Sequence, residues 1–155
     1  MNIPTTIQPS HVHLSRADIR TLFGENTKLI SAHALDMPGT FEATQQLTVR
    51  SSEGEVELPI FGPSRARTRL EFSPALTARL GSGAMTLIGP AGELTLTPPS
   101  EGFIAMAHVH LPPEDASTLG LLEGEIVTIS TDSGTEVQAV VRISHMYIRW
   151  LHIVE

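Results

Sequence analysis

The stretch Ser10-His11-Val12-His13-Leu14-Ser15-Arg16-Ala17-Asp18 returns late in the chain as Ala107-His108-Val109-His110-Leu111-Pro112-Pro113-Glu114-Asp115. Aligned without gaps from Ser10 to Gly24 and from Ala107 to Leu121, the two segments share His, Val, His, Leu, Asp, Thr and Leu. On a β-strand residues i and i+2 point the same way. The two histidines of each word therefore share one face, while Val and Leu anchor the other in a core. A helix is predicted after each word. Ser15 caps the first, with Asp18 three residues on, Ile19, Leu22 and Phe23 following, and Gly24 as the stop. Pro112-Pro113-Glu114-Asp115 opens the second, which runs toward Leu119 before Gly120. One strand-to-helix unit used twice predicts pseudo-symmetry rather than a solenoid.

Around these segments, eleven prolines and twelve glycines break the sequence into short apolar runs that alternate with period two. Strands are predicted over 46–50, 55–61, 69–72, 84–88, 93–97, 102–110, 125–131 and 136–144. Trp150-Leu151-His152-Ile153-Val154 is strand-like as well. Glycine-containing turns at Ser52-Glu53-Gly54, Pro90-Ala91-Gly92 and Asp132-Ser133-Gly134 separate them. The expected fold is mostly β, a meander or barrel, within residues 1–155.

A net charge of −7 with only ten Lys plus Arg excludes a nucleic-acid or anionic-membrane surface, since either needs a basic footprint. The N-terminal MNIPTTIQPS has neither the basic nor the apolar region of a secretory signal, and no apolar run reaches membrane-spanning length, so a soluble, cytoplasmic protein is expected. With no cysteine, any transition-metal site must be built from imidazole and carboxylate.

Four of the seven histidines sit in the two repeated words. His11 with His13, and His108 with His110, each form a two-ligand arm suited to Zn2+. A lone His-x-His is more often a satisfied polar pair; two copies, each entering a helix, favour metal. His152 is flanked by apolar residues and stands evenly between a ligand and a core role, whereas His33 and His145 read as structural or surface residues. Glu71 is the best carboxylate. It ends the run Arg65-Ala66-Arg67-Thr68-Arg69-Leu70-Glu71, in which Arg65, Arg67, Arg69 and Glu71 alternate down one face of a predicted strand, behind a Gly62-Pro63 turn. The bland alternative is a solvated face on which Glu71 pairs with Arg69.

Taken in order, His11-Val12-His13-Leu14, Met37-Pro38-Gly39-Thr40-Phe41, Gly62-Pro63-x-Arg65-x-x-Thr68-x-x-Glu71, Leu87-Ile88-Gly89-Pro90-x-Gly92, His108-Val109-His110-Leu111 and Leu151-His152-Ile153 resemble the PduL-type phosphate acyltransferases, the phosphate propanoyltransferase family. The resemblance covers nearly the whole chain. It implies a zinc-dependent phosphotransacylase that interconverts short-chain acyl-CoA plus phosphate with acyl phosphate plus CoA. The implied fold is two small interleaved β-barrels capped by short α-helices, with two Zn2+ ions where they meet. One lobe would take about 1–40 and 103–155, the other about 41–102. Carried over by motif position, the metal ligands are His11, His13, Glu71, His108, His110 and His152, and Arg65 is the catalytic arginine that holds phosphate. Arg67, Arg69 and the glycine-rich turn at Ser82 and Gly83 are the expected substrate-binding residues. Exposed edges of a small barrel are compatible with a homo-oligomer.

The chain departs from the family pattern at Ser10 and Ala107, where members carry arginine, and in the shortened Ala78–Met85 segment. Only ten residues precede His11, too few for the N-terminal extension that targets some members to microcompartments, so a plain cytoplasmic location is expected. Two further readings therefore stand beside acyl transfer. One is metal-assisted chemistry of another kind, such as thioester hydrolysis or transfer to a different acceptor. The other is a non-catalytic metal-binding module.

Overall fold

The computed structural model describes residues 3–98, 107–131, 134–145 and 149–155, and it is mostly β, as the alternation predicts. In chain order the elements are β1 (Thr5–Gln8), β2 (His11–His13), α1 (Arg16–Phe23), β3 (Ser31–Ala34), β4 (Phe41–Ser51), β5 (Gly54–Gly62) and β6 (Arg69–Glu71). There follow α2 (Pro74–Leu80), β7 (Met85–Ile88), β8 (Glu93–Leu96), β9 (Ala107–Leu111), α3 (Pro113–Leu119), β10 (Ile126–Ser130), β11 (Glu136–Ile143) and β12 (Trp150–Val154). None of the described helices is long and apolar enough to cross a membrane. Of the predicted strand over 102–110, residues 102–106 lie outside the described residues, as do Asp132 and Ser133 of the predicted turn.

The chain divides into two compact units, Met1–Gln8 with Met106–Glu155, and Pro9–Ala105. The first is built on a five-stranded sheet ordered β1-β12-β9-β11-β10, and its core gathers Val109, Leu111, Ala116, Ala139, Val141 and Leu151. The second has a sheet ordered β6-β2-β5-β4-β7-β8, with β3 pairing beside β4. Its core runs from Val12, Leu14 and Leu22 through Val49, Ile60, Leu70 and Phe72 to Met85 and Leu87. Residues 9–40 thus belong with the second unit rather than with the C-terminal strands. The reason is register: β2 pairs with β5 and β6, so the first HVH word is held by its own neighbours in sequence.

Both HVH words are strands, and the residues between and after their histidines are at most 1% exposed: Val12 and Leu14 in one, Val109 and Leu111 in the other. Both predicted helices form. Ser15 Oγ accepts from the Asp18 backbone N–H at 3.2 Å, and the N–H of Gly24 closes the other end on the Arg20 carbonyl. The α3 helix starts at Pro113, where the missing N–H costs nothing, and ends on Gly120 in the left-handed conformation.

Three features depart from expectation. The topology is not a simple meander, because β2 with β5, β9 with β11, and β1 with β12 pair in parallel. The α2 helix was not foreseen. Ser73 caps it by accepting from the Leu76 N–H at 3.1 Å, and Leu76 and Leu80 face inward. Lastly, Arg65, Arg67, Arg69 and Glu71 do not alternate along one strand. Only Arg69–Glu71 is extended, whereas Arg65–Thr68 forms a turn after the cis Gly62–Pro63 peptide.

The Gly89-Pro90-Ala91-Gly92 turn locks α1 to the sheet. Ala91 N–H donates to the Leu22 carbonyl at 2.9 Å, and the Gly89 N–H reaches the Gly92 carbonyl at 2.9 Å. A Cβ on Gly89 would overlap the Leu22 carbonyl oxygen, and one on Gly92 would lie 2.7 Å from the Thr21 carbonyl oxygen. Gly89→Ala is expected to lower stability by about 1–3 kcal/mol, because backbone on both sides must shift. Gly83→Ala, at an open position, is expected to leave it nearly unchanged. Thermal or denaturant unfolding of the two variants checks both statements.

Candidate metal centres and the arginine turn

In the Pro9–Ala105 unit, β2 runs antiparallel to β6 with His11 directly opposite Glu71 and His13 opposite Arg69. Cross-strand partners share a sheet face, so Glu71 joins the face on which both imidazoles lie. His11 Nε2 is 2.5 Å from Glu71 Oε2 and 3.2 Å from His13 Nε2, and His13 Nε2 is 3.5 Å from the same carboxylate oxygen. Donors around a tetrahedral Zn2+, each about 2.0–2.1 Å from the ion, stand about 3.3 Å apart. The second and third separations fit that figure, and the first is tighter.

The opposite ring nitrogens fix the tautomers. Pro9 and Phe61 carbonyls can only accept, so His11 Nδ1 donates to Pro9 O at 2.8 Å and His13 Nδ1 donates to Phe61 O at 3.3 Å. Both Nε2 atoms then face the carboxylate, each as a lone pair when its ring is neutral and as an N–H donor when it is protonated. A single proton satisfies two of these three acceptors; a divalent cation satisfies all three, and carbonyl-bound imidazoles are the usual outer support of a zinc site. Phe61 contributes twice. Its ring also stacks on His11 with centroids 4.0 Å apart and planes 13° from parallel.

Electrostatics prepares the group for a cation. Burial holds the His13 imidazole below the ordinary histidine value, against the hydrogen bond and charge of Glu71. Burial alone would raise Glu71, but hydrogen bonds from His11 and His13, and their charge, hold its carboxyl far below the usual range. Neutral imidazole and ionised carboxylate are the ligating forms.

The other unit repeats the construction. Here β12 runs antiparallel to β9 with His152 opposite His108, and β9 carries His110 two residues on. His108 and His152 rings are parallel at 5.1 Å, and His110 stands edge-on to both at 4.8 Å. One ligating atom from each lies within 4.8 Å of the others. The third member again comes from the antiparallel neighbour of the HVH strand. His152 Nδ1 donates to Gln8 Oε1 at 3.4 Å from β1, and Trp150 Nε1–H donates to Thr6 Oγ1 at 2.6 Å, pinning β12.

The six expected ligands are thus gathered as His11, His13 and Glu71, and as His108, His110 and His152. The alternative pairing of Glu71 with Arg69 does not occur: Glu71 is buried against the histidines and Arg69 is exposed. Arg65 is exposed in the turn, yet its charge acts on His13. Arg67 is exposed in the same turn, and Ser82 and Gly83 are exposed between α2 and β7, outside both groups. His33 lies on the surface 3.2 Å from Glu42, with no third ligand among the described residues. Phe61 and Gln8 were not anticipated. Gln8 alternates with Thr6 on the inward face of β1, a period-two hint; no sequence signal connects Phe61 to His13 across 48 positions.

In metal-free protein His13 and Glu71 both have depressed folded values, so the unfolded chain binds the extra protons. The stability His13 contributes is therefore full above its ordinary value of 6.5 and is lost as pH falls below it, and that of Glu71 is full above 4.5 and is lost further down. Denaturant unfolding of chelator-treated protein across this range is expected to show stability falling with pH, and Glu71→Gln is expected to flatten the lower part.

The model of the family described as phosphate propanoyltransferase matches residues 4–154. A phosphate propanoyltransferase of Rhodobacter capsulatus is 33% identical over 82% of this chain and 65% of its own length. Those of Thermotoga maritima and Shewanella putrefaciens are 35% and 37% identical, over 80% and 86% of this chain and 65% and 68% of theirs. The chain thus spans 65–68% of the length of these relatives. With both HVH words, the arginine turn and the terminal histidine strand inside the matched region, the chain belongs to the phosphate propanoyltransferase family.

Proposed function

We propose that this chain is a zinc-dependent phosphate acyltransferase, interconverting a short-chain acyl-CoA and phosphate with acyl phosphate and CoA in the cytoplasm. In this reading each unit is one of the two small barrels, His11, His13 and Glu71 hold one Zn2+, and His108, His110 and His152 hold another. The observation that carries it is the convergence of Nε2 of His11, Nε2 of His13 and Oε2 of Glu71 with an exposed arginine acting on the same histidine.

Zinc bound there would supply Lewis-acid polarisation of the thioester carbonyl and charge compensation for the departing thiolate. Arg65 binds two phosphate oxygens through its planar fork and aims a third at the carbonyl carbon. The new O–C bond forms as the C–S bond breaks, CoA leaves as thiolate, and the acyl group remains on phosphate. Arg65 also lessens the repulsion between two anionic reactants on a chain of net charge −7. Arg67 and Arg69 extend the positive surface beside it, and the turn at Ser82 and Gly83 offers backbone N–H groups to a phosphate.

Ser10 gives a specific reason to keep a second reading. Where the family carries arginine, this buried hydroxyl accepts the Ser73 N–H at 2.8 Å and ties the start of β2 to the junction between β6 and α2. Fewer cations at the site would favour hydrolysis or another acceptor over phosphate. A CoA-thiol release assay on zinc-loaded protein with acetyl-, propionyl- and butyryl-CoA separates the cases. Release is expected to require phosphate, to disappear with a chelator, and to fall by about 10²–10³-fold in Arg65→Ala. Phosphate-independent release points to hydrolysis. Zinc binding without release from any thioester leaves the metal-binding module.

A further inference from the structure

The turn that carries Arg65 is tied down at both ends to the segment that follows the first HVH word. Arg65 N–H donates to the Leu14 carbonyl at 2.9 Å, and Arg65 pairs with Ser15 in an isolated parallel bridge. Three residues on, Thr68 Oγ1 accepts the Ser15 N–H at 2.9 Å and donates to the Asp18 carboxylate. Asp18 is held in turn, because its backbone N–H donates to Ser15 Oγ at 3.2 Å. One residue beyond Thr68, Arg69 enters the register opposite His13.

The Ser15 cap of α1 takes the Asp18 backbone N–H, while the Asp18 carboxylate reaches across to the Thr68 hydroxyl. What their bond fixes is the path of residues 65–68. A free four-residue turn would let Arg65 sweep over many positions, and each rotatable bond left loose weakens a ligand that must be held in one geometry. A hydrogen bond to a carboxylate is roughly twice as strong as a neutral one. The bond therefore joins the arginine turn to the first turn of α1, the helix that follows the strand bearing His11 and His13.

We propose that Asp18 and Thr68 are positioning residues that hold Arg65 against the His11–His13–Glu71 group, so that a phosphate or acyl-phosphate oxyanion is bound in one orientation. The proposal rests on the phosphate role of Arg65 given above. Neither residue touches substrate; both act through the turn.

The test uses the full zinc-loaded chain and inorganic phosphate as probe. Zinc content, the phosphate-dependent rise in Tm, and KM for phosphate and for acyl-CoA are measured for the wild type, Asp18→Asn, Thr68→Val and Thr68→Ser. Asp18→Asn and Thr68→Val are expected to keep two zinc ions, to need about tenfold more phosphate for the same Tm rise, and to raise KM for phosphate while KM for acyl-CoA stays within about twofold. Thr68→Ser, which keeps the hydroxyl, is expected to behave as wild type. Wild-type phosphate response in both Asp18→Asn and Thr68→Val overturns the proposal, and so does loss of zinc together with phosphate, which would mark a merely structural contact. If the wild type binds phosphate and the two variants do not, yet no CoA is released, the positioning role stands and acyl transfer falls. If the wild type releases CoA with phosphate and the variants match it, acyl transfer stands and the positioning role falls.

Discussion

Everything at the two histidine groups depends on one constraint: the antiparallel register that sets a third side chain directly across from the first histidine of each HVH strand. His11 faces Glu71 across β2 and β6, and His108 faces His152 across β9 and β12. Because side chains alternate at every residue, a slip of the HVH strand by one position would send both of its histidines to the core face, away from the third group. Val12 and Val109 oppose such a slip, since each would then have to leave a site that is at most 1% exposed. Core packing and ligand placement are two faces of the same strand, and neither can be altered without the other.

The duplication is structural as well as lexical. Each HVH strand lies between a parallel neighbour on one side, β5 or β11, and an antiparallel neighbour on the other, and each leads into a helix. The third members of the groups differ, a carboxylate in one unit and an imidazole in the other. With a divalent ion the first group would carry one positive charge fewer than the second. The same scaffold thus offers two electrostatic environments from one strand-to-helix pattern.

The HVH words, both helices beside them and most strands were legible because each follows from local periodicity and capping. The partnership of His11 and His13 followed from strand geometry, and that of Glu71 from motif position. Less legible were features whose cause is distant in sequence. Parallel pairing of β2 with β5 leaves no trace in either strand, and it is that pairing which brings the Phe61 carbonyl to His13. The alternating arginines suggested one strand, but a turn interrupts the period after Gly62–Pro63. Thr68 stood in a recognised motif without a stated task; its bond to Asp18 spans 50 residues.

The parallel pairing of β1 with β12 carries a consequence for the order in which the protein is made. Thr6 and Trp150, bonded across these strands, are 144 residues apart. At a synthesis rate of about 5–20 residues per second, β1 waits roughly 7–30 s for its partner to leave the ribosome. The intervening unit is continuous in sequence and can condense during that interval. The three-histidine group, which needs β9 and β12 together, is therefore assembled after the strands of the Pro9–Ala105 unit have been made, beside a β1 that has waited for its partner.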